Sequence, residues 1–469
     1  MFATRELEAL YHERLNRYLC AMDRGTPDRI PIRFLLQEAA AGIAGYTTQE
    51  VSLDYNLAFE ATRKAGEKLG CDAVMLNAIW STYQVGKAAA WKYLHVPGVD
   101  VGLNSVLQYS EPEREEDAFL LAEEYEEFIE DPTAFLVNKW MSRAASRVQP
   151  AGAQVDFDHN AALMGGALAY ANYMNVFGPA AGRLKYRSAL VSANAGMIKA
   201  PFDILGDKFR GFLGAAMDSV ERPKTLLRAC EALMPHIVAN ALAGADPEKR
   251  VPITIWAHRG CVPFISPATF DTIVWPTLKP VFEEIISKGY QILFYGEGNW
   301  ERHYEALKEL PEGSLIYHLD KGSPELAARA FKGHFALSGG LSYDVLARGS
   351  KDEVRTHMKE LFRVMMPGGG YILDATALML SDIREDNLRT AVEYTLEHGV
   401  YSQSSPIRPR GETKPQHIEQ GSRPPHTVRP WAVESKDYAM LSGDVDLVKR
   451  QWESADAALY NYLWTTVLW

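Results

Sequence analysis

The chain has 469 residues, of which 47% are hydrophobic and 23% charged, and its formal net charge is -11 at pH 7. This length allows one large α/β domain with appendages, or two to three domains. The acidic balance argues against nucleic acid as the main partner, and no apolar run approaches the roughly 20 residues that span a bilayer. Four widely spaced cysteines make no disulfide framework. We therefore expect a cytoplasmic globular protein with neither a membrane nor a nucleic-acid partner.

The first third of the sequence alternates helical and extended patterns. Apolar residues at helical spacing predict a polar amphipathic helix over residues 4–24, rather than a signal peptide. Gly25 and Pro27 then mark a turn into the first strand. The further elements predicted before residue 161 are a strand at 31–37, a helix at 53–69, a strand at 72–80, an acidic helix within 111–135 with a solvated face, and a loop or helix cap at 154–160.

The centre of the sequence, Val251 to Asp320, contains three short apolar runs separated by helical segments. Each run ends in ionisable residues, which are His258, Glu297 and the pair His318 and Asp320. Side chains alternate along a strand, so the members of each pair Trp256 and His258, Tyr295 and Glu297, and His318 and Asp320 share a face. Because α/β barrels place their chemistry at the C-terminal ends of the strands, this stretch is the predicted active site.

The remaining pattern favours a distorted (β/α)8 TIM-type barrel over residues 1–401, with an N-terminal helix. A strand, a loop and a helix recur every 25 to 45 residues, and the sequence has no GxGxxG, P-loop or GxSxG motif. The later predicted elements are an amphipathic helix at 218–242, a strand at 335–342, a helix at 351–366, a strand within 368–378 and a helix at 384–397.

Two appendages are predicted beyond the barrel. Residues 402–432 are rich in Pro, Arg, Ser and Gly, which is typical of an extended arm. Residues 433–469 include a helix over 445–463 whose apolar face would otherwise meet water. We expect this helix to dock on the barrel of its own chain or on that of a partner subunit in a homodimer.

Several phrases resemble the uroporphyrinogen decarboxylase superfamily. They are GTPDRIPI near residue 25, AHRGCVPFISPATFDTIVWPTLKPVFEEII at 257–286, FALSGGLSYDVLARGSKDEV at 335–354 and GGGYILDATALMLSDIREDNLRTAVEYTLEHG at 368–399. The resemblance spans about residues 22–400 and implies a distorted (β/α)8 barrel. It also implies one of two chemistries, porphyrinogen decarboxylation or methyl transfer involving a corrinoid carried on a separate protein.

Departures from the family pattern select among these chemistries. The region FLLQEAAAG lacks both arginines with which the decarboxylases bind their carboxylated substrate, and Asn77 stands near the place of their aspartate. The zinc-binding cysteines of thiol-methylating members are also absent, since Tyr295 to Glu297 and Thr376 occupy those places. What remains resembles the O-demethylase methyltransferases, which move a methyl group from an aryl methyl ether to the cobalt of a corrinoid-binding protein.

The resemblance also implies a zinc site that would act as a Lewis acid on the ether oxygen. Twenty residues separate Glu297 from His318, as in the second half of a Glu–Glu–His zinc pattern of those enzymes. The first half is one residue short if Glu283 is used, so the third ligand stays open, with Asp320 preferred over Glu283 on structural grounds. The alternative is that Glu297 and His318 only hydrogen-bond each other; without a metal, His318 or Tyr295 would donate a proton to the leaving oxygen.

Other strand-end residues are candidates for binding the substrate. These predicted substrate-binding residues are His258, Asn77, Asp374 and Trp80. Cys261 is a further candidate, as a fourth metal ligand, on the basis of a lone HxxC motif. A second function stays open, a lyase or decarboxylase of the same superfamily that acts on a smaller acid, with Arg33, Arg259 and His258 binding its carboxylate.

Overall fold

The structure is a computed structural model that describes residues 1–76, 80–103, 105–106, 108–405, 426–438 and 443–468. Within these residues the strands are short and most are parallel. They are β1 (Arg33–Phe34), β2 (Ala73–Val74), β3 (Leu94–His95), β4 (Gln108–Tyr109), β5 (Val191–Ser192), β6 (Met197–Lys199), β7 (Ile253–Ala257), β8 (Ile292–Asn299), β9 (Leu315–Lys321), β10 (Ala336–Gly339) and β11 (Tyr371–Ile372).

The parallel strands form two sheets. One has the order β1-β2-β5 and the other the order β11-β10-β9-β8-β7-β6, while β3 and β4 pair with each other antiparallel. A parallel bridge between Ile32 and Leu373 joins the two sheets at one side. At the other side β5 and β6 follow each other along the chain with residues 193–196 between them. The α/β class with a parallel sheet is thus confirmed, whereas the strand pairing of a closed barrel is interrupted between β5 and β6.

Helices connect most of the successive strands, although none is described between β3 and β4 or between β5 and β6. The α-helices are α1 (Arg5–Met22), α2 (Ala39–Ala44), α3 (Thr48–Leu53), α4 (Tyr55–Lys68), α5 (Trp80–Ala89), α6 (Tyr125–Glu130), α7 (Pro132–Phe135), α8 (Met141–Ala144), α9 (Phe157–Ser188), α10 (Pro201–Leu205), α11 (Phe212–Glu221), α12 (Pro223–Ala243), α13 (Pro267–Thr269), α14 (Trp275–Ser287), α15 (Tyr304–Leu307), α16 (Pro324–Phe331), α17 (Tyr343–Arg348), α18 (Lys351–Met365), α19 (Glu385–His398), α20 (Trp431–Glu434) and α21 (Val445–Leu468). Short π-helical segments follow three of them, at Leu136–Trp140, Gly206–Arg210 and Phe270–Val274. No helix in the described ranges is long and apolar enough to cross a membrane.

The helix α18 shows how local sequence sets an element. Ser350 caps its N-terminus and forms a capping box with Glu353, which satisfies backbone N–H groups that the first turn leaves free. Val354, Met358 and Leu361 recur at helical spacing and are buried, and the helix packs against α19 and α16. The prediction of a helix at 351–366 is therefore confirmed.

Alternate residues of the parallel strands point to the same inner face and form a buried hydrophobic cluster, the inner cluster. Leu293 and Tyr295 of β8 belong to this inner cluster, whereas Ile292 and Phe294 face the helices. This is the alternation that a strand with both faces buried requires. The helix α1 packs below the inner cluster, where the Tyr18 hydroxyl donates to the Ala193 carbonyl at 2.8 Å.

Some sequence predictions need correction. The acidic helix predicted within 111–135 is broken into 3₁₀ turns at Glu115–Asp117 and Ala122–Glu124, followed by α6 and α7. Among the described residues of the strand predicted over 72–80, only Ala73 and Val74 form a strand, β2, and Trp80 is the first residue of α5. Asn77 lies outside the described residues. The cap predicted at 154–160 is present, because Asp156 caps α9 by accepting from the His159 N–H at 3.0 Å.

The C-terminal helix α21 packs on this chain's own α12. The indole of Trp464 stacks on His236 with ring centroids 4.2 Å apart and donates to the Thr133 hydroxyl at 3.2 Å. The Tyr460 hydroxyl lies 2.6 Å from Nδ1 of the same histidine. Of the segment predicted as an arm, residues 406–425 lie outside the described ranges.

Candidate active site

The register of the strands places five interior side chains in one row. Across β6 to β10, Lys199, Trp256, Tyr295, His318 and Ser338 are successive partners. Three rings of this row are stacked. The centroids of Trp256 and Tyr295 are 3.8 Å apart at 15°, and those of Tyr295 and His318 are 4.1 Å apart at 16°. These rings make a flat, tightly packed layer across three strands.

A cavity of about 300 Å³ lies at the C-terminal ends of the strands, beside this layer. Trp256 lines this cavity. His258, two residues after Trp256, and Glu297, two residues after Tyr295, line it as well. The full lining is Gln37, Tyr93, Tyr109, Ser110, Glu111, Met197, Lys199, Asp207, Lys208, Trp256, His258, Arg259, Glu297 and Leu378. The lining thus combines aromatic side chains with a few charged groups that point into the cavity, which is typical of ligand-binding sites.

His258 is held between two aspartates. Its Nε2 lies 3.0 Å from Oδ1 of Asp207 and its Nδ1 lies 3.0 Å from Oδ1 of Asp203. Burial opposes the charged ring, but Asp207 and Asp203 outweigh it and raise the pKa of His258 to about 10. The ring is therefore a protonated imidazolium at pH 7 on the wall of the cavity.

Glu297 lines the cavity and is oriented by Trp256 of the stacked layer, which forms the floor of the cavity. Its Oε2 accepts a hydrogen bond from the Trp256 indole at 2.9 Å. The Cys261 thiol donates a hydrogen bond to the backbone carbonyl of Glu297, with a distance of 3.3 Å from Sγ to the oxygen. Burial raises the pKa of Cys261 to about 12, which keeps it a neutral thiol. Cys261 thus packs below the site.

His318 lies in the stacked layer and is fully buried. Its Nε2 is 3.2 Å from the Thr376 carbonyl, which only accepts, so Nε2 carries the proton. Its Nδ1 is 3.3 Å from the Arg33 guanidinium and 3.2 Å from the Ser338 hydroxyl. Burial and the neighbouring Arg33 push the pKa of His318 well below its ordinary value. The ring is neutral and both nitrogens are engaged.

The residues predicted as zinc ligands do not fit a metal site in this arrangement. His318 presents no free nitrogen, and Asp320 accepts from the Gly298 N–H at 2.7 Å. Burial, with Glu297 nearby, raises the pKa of Asp320 to about 6. Glu283 lies on α14, next to Lys279. Among the residues that the structure describes, no three His, Cys, Asp or Glu side chains are grouped to hold a metal ion.

Several other predicted site residues lie away from the cavity wall. Asp374 is fully buried and pairs with the equally buried Arg33 at 3.0 Å. Tyr295 is buried below the cavity, and its hydroxyl donates to the Thr376 carbonyl at 3.3 Å. Arg259 does reach the cavity, where it is ion-paired with Glu111. The arginines predicted to bind a substrate carboxylate are thus both already paired.

Sequence reasoning missed the segment after β6. Lys199 pairs with Asp207 at 2.5 Å, and Asp207, Lys208 and Glu111 all line the cavity. A signal was present, because Asp203 and Asp207 are four residues apart and share one face of a helical turn. That turn directly follows a strand, which places both carboxylates at the C-terminal edge of the sheet.

Comparisons with known proteins agree with this architecture. The chain is similar in structure to a methyltransferase from Methanosarcina mazei, with a TM-score of 0.54 and 16% sequence identity over 82% of this chain and 98% of that one. A search of curated proteins found no match. The model of the uroporphyrinogen decarboxylase (URO-D) family matches residues 180–398. The matched part of the chain runs from the end of α9 to the end of α19 and contains β5 to β11.

Proposed function

We propose that the protein is a methyltransferase that moves a methyl group from a methoxylated aromatic compound to the cobalt of a separate corrinoid-binding protein. The carrying observation is the imidazolium of His258 on the wall of a partly aromatic cavity. The URO-D family match and the similarity to a methyltransferase support a methyltransferase-like enzyme. The aryl ether donor and the corrinoid acceptor are the proposed part.

The chemical problem is the leaving group. Cleaving an aryl methyl ether releases a phenolate, so a positive charge held near the ether oxygen lowers the barrier by stabilising the charge that develops there. Both ring nitrogens of His258 are engaged, Nε2 with Asp207 and Nδ1 with Asp203. In this proposal the imidazolium therefore acts through its positive charge and not as a proton donor to the substrate.

The cavity supplies the remaining requirements. Trp256, Tyr93 and Tyr109 offer flat surfaces against which an aromatic ring can lie. The hydrogen bond from the Trp256 indole orients Glu297, whose carboxylate can accept hydrogen bonds from hydroxyl groups on the aromatic substrate. The reduced corrinoid, bound to its own protein, supplies the nucleophile that takes the methyl group. In this proposal Asp203 and Asp207 hold the His258 ring in place and keep it protonated.

The alternative, a lyase or decarboxylase acting on a smaller acid, has less support. It relies on cationic side chains that are free to bind a carboxylate, whereas Arg33 pairs with Asp374 and Arg259 with Glu111. A carboxylate substrate would have to displace a buried or half-buried partner from each arginine.

The test is turnover with a reduced corrinoid protein and a panel of methoxylated phenols. We expect the methyl-cobalt absorbance to appear together with the free phenol. His258→Asn should slow the reaction by about 10²–10³-fold, the usual range when one group that stabilises a developing oxyanion is removed. His398→Asn, at an exposed position on α19, is the matched control and should match the wild type. Absence of turnover over the whole panel, or full activity of His258→Asn, would contradict the proposal.

A further inference from the structure

Lys208 is a buried lysine that lines the cavity without an evident structural role there. Its side chain reaches the cavity although the residue is only 2% exposed. Lysine is among the residues least often fully buried unless paired, because its ammonium is costly to remove from water. A lysine in this position therefore calls for a chemical explanation.

The surroundings of the Lys208 amine are mainly aromatic. Nζ lies 4.0 Å from the ring centroid of Tyr93 and 5.4 Å from that of Tyr109. Nothing among the described residues accepts a hydrogen bond from it, whereas the neighbouring Lys199 pairs with Asp207 at 2.5 Å. Burial and the positive charge of Lys199 hold the pKa of Lys208 well below its ordinary value, against the opposing charges of Asp207 and Glu111.

The backbone around Lys208 is firmly held. Its carbonyl accepts from the Trp140 indole at 2.5 Å, and the Phe209 carbonyl accepts from the Phe119 and Leu120 N–H groups. Two residues after Lys208, the buried Arg210 guanidinium pairs with Asp218, with 2.7 Å between Nε and Oδ2. This framework fixes the position from which Lys208 reaches the cavity.

We propose that Lys208 Nζ is a nucleophile that captures a small aldehyde or ketone in this cavity as an imine. The amine lone pair attacks the carbonyl carbon, and the carbonyl oxygen takes up a proton to give a carbinolamine. Loss of water then forms the C=N bond, so one amine and one carbonyl group yield one imine and one water. Both hydrogens of the amine end on the departing oxygen, and the water returns to solvent.

The ligand class follows from the cavity. A volume of about 300 Å³ with walls from Tyr93, Tyr109 and Trp256 fits a small carbonyl compound with an aromatic or apolar body. This activity goes beyond the proposed methyl transfer, and its test needs neither a corrinoid nor a methyl donor. Failure of one proposal therefore leaves the other intact.

The experiment is reductive trapping with benzaldehyde and cyanoborohydride at pH 7, followed by peptide mapping. Cyanoborohydride reduces an imine to a stable secondary amine, so a captured aldehyde leaves one benzyl group on the responsible lysine. We expect the label on Lys208 at least tenfold above that on any other lysine. Lys208→Arg should lose this label and keep the circular dichroism spectrum of the wild type.

Lys332 provides a matched control, because burial also lowers its pKa, to about 8. Its amine donates to the Val364 carbonyl at 2.8 Å and to the Pro367 carbonyl, and it does not line the cavity. Lys332→Arg should therefore leave the labelling of Lys208 unchanged. Labelling spread evenly over the lysines, or concentrated on Lys332, would overturn the proposal. Mapping of the wild type alone decides this even if Lys208→Arg folds poorly.

Discussion

Single residues around the cavity set how stability depends on pH, and His258 is the clearest case. Its pKa is about 10 in the folded protein, whereas an unperturbed histidine has a value near 6.5. A raised folded-state pKa gives stability that is fully present below about pH 6.5 and is lost as the pH rises through about 10. The free energy of unfolding of the wild type, relative to His258→Asn, should therefore fall between these two pH values.

Urea denaturation at pH 6 and pH 10 measures this difference directly. The side chain of His258 is about one-fifth exposed, so solvent weakens the effect, and the direction of the change is the prediction. The comparison with His258→Asn removes the contributions of the other titrating groups. An equal change in stability for both proteins over this range would show that the aspartates do not hold an imidazolium.

The pair Arg33 and Asp374 carries a second prediction at this scale. Both side chains are fully buried, and their charged atoms are 3.0 Å apart. Asp374→Leu leaves a buried guanidinium without its partner and should cost about 3–5 kcal/mol. Arg33→Met with Asp374→Leu should cost clearly less than the sum of the two single changes, because the double variant buries no lone charge. Additive losses in urea denaturation would contradict this account.

Among the elements, α21 offers a direct comparison of two faces of one helix. Trp464 is fully buried, stacks on His236 and donates to Thr133. Trp464→Ala should lower the free energy of unfolding by about 3–5 kcal/mol, as is usual for a large buried side chain. Leu459 on the same helix is 46% exposed, so Leu459→Ala should change stability by no more than about 0.5 kcal/mol. Similar losses for both variants would show that α21 is not docked on α12 as described.

Elements with a strong periodic pattern are those that the sequence predicts well. The strands at 253–257, 292–299 and 315–321 and the helix at 351–365 follow from apolar runs and caps that can be recognised locally. The sequence predicts one helix within 111–135, whereas the structure has two 3₁₀ turns and two short helices there, with Glu124 ion-paired to Arg143 and Lys139. Such a long-range ion pair leaves no periodic signal in the sequence.

The sequence indicates where the site lies, at the C-terminal ends of the strands, better than it indicates which residues form it. Polar strand ends singled out His258 and Glu297, and both line the cavity. The role of His318 depends on Arg33, which is 285 residues away along the chain, and no local pattern reveals that contact. Lys208 looked like an ordinary charged residue, since only the tertiary packing of Tyr93 against it shows that it is buried.

For the whole molecule, the question is whether residues 180–398, which match the URO-D family, fold alone. The inner cluster also takes Leu35, Met75 and Tyr18 from the N-terminal part, and Arg33 pairs with Asp374 across this boundary. A fragment of residues 180–398 would expose this interior to water. We expect the isolated fragment to bind the dye ANS and to unfold without a cooperative transition in urea, whereas the full chain unfolds cooperatively.

Adding the separate segment 1–179 to this fragment is the control. If the two pieces complement each other, ANS binding should fall and a cooperative transition should return. A fragment that unfolds cooperatively on its own would show that the N-terminal strands are dispensable for the core.

The stacked layer at the floor of the cavity has an optical consequence. The chain contains ten tryptophans, and Trp256 lines the cavity while stacking on Tyr295. A molecule that enters the cavity replaces water beside the Trp256 indole and alters its hydrogen bond to Glu297, and both changes affect its emission. Trp256 is thus a built-in fluorescent reporter of occupancy, and ligands can be ranked by titration before any reaction is known.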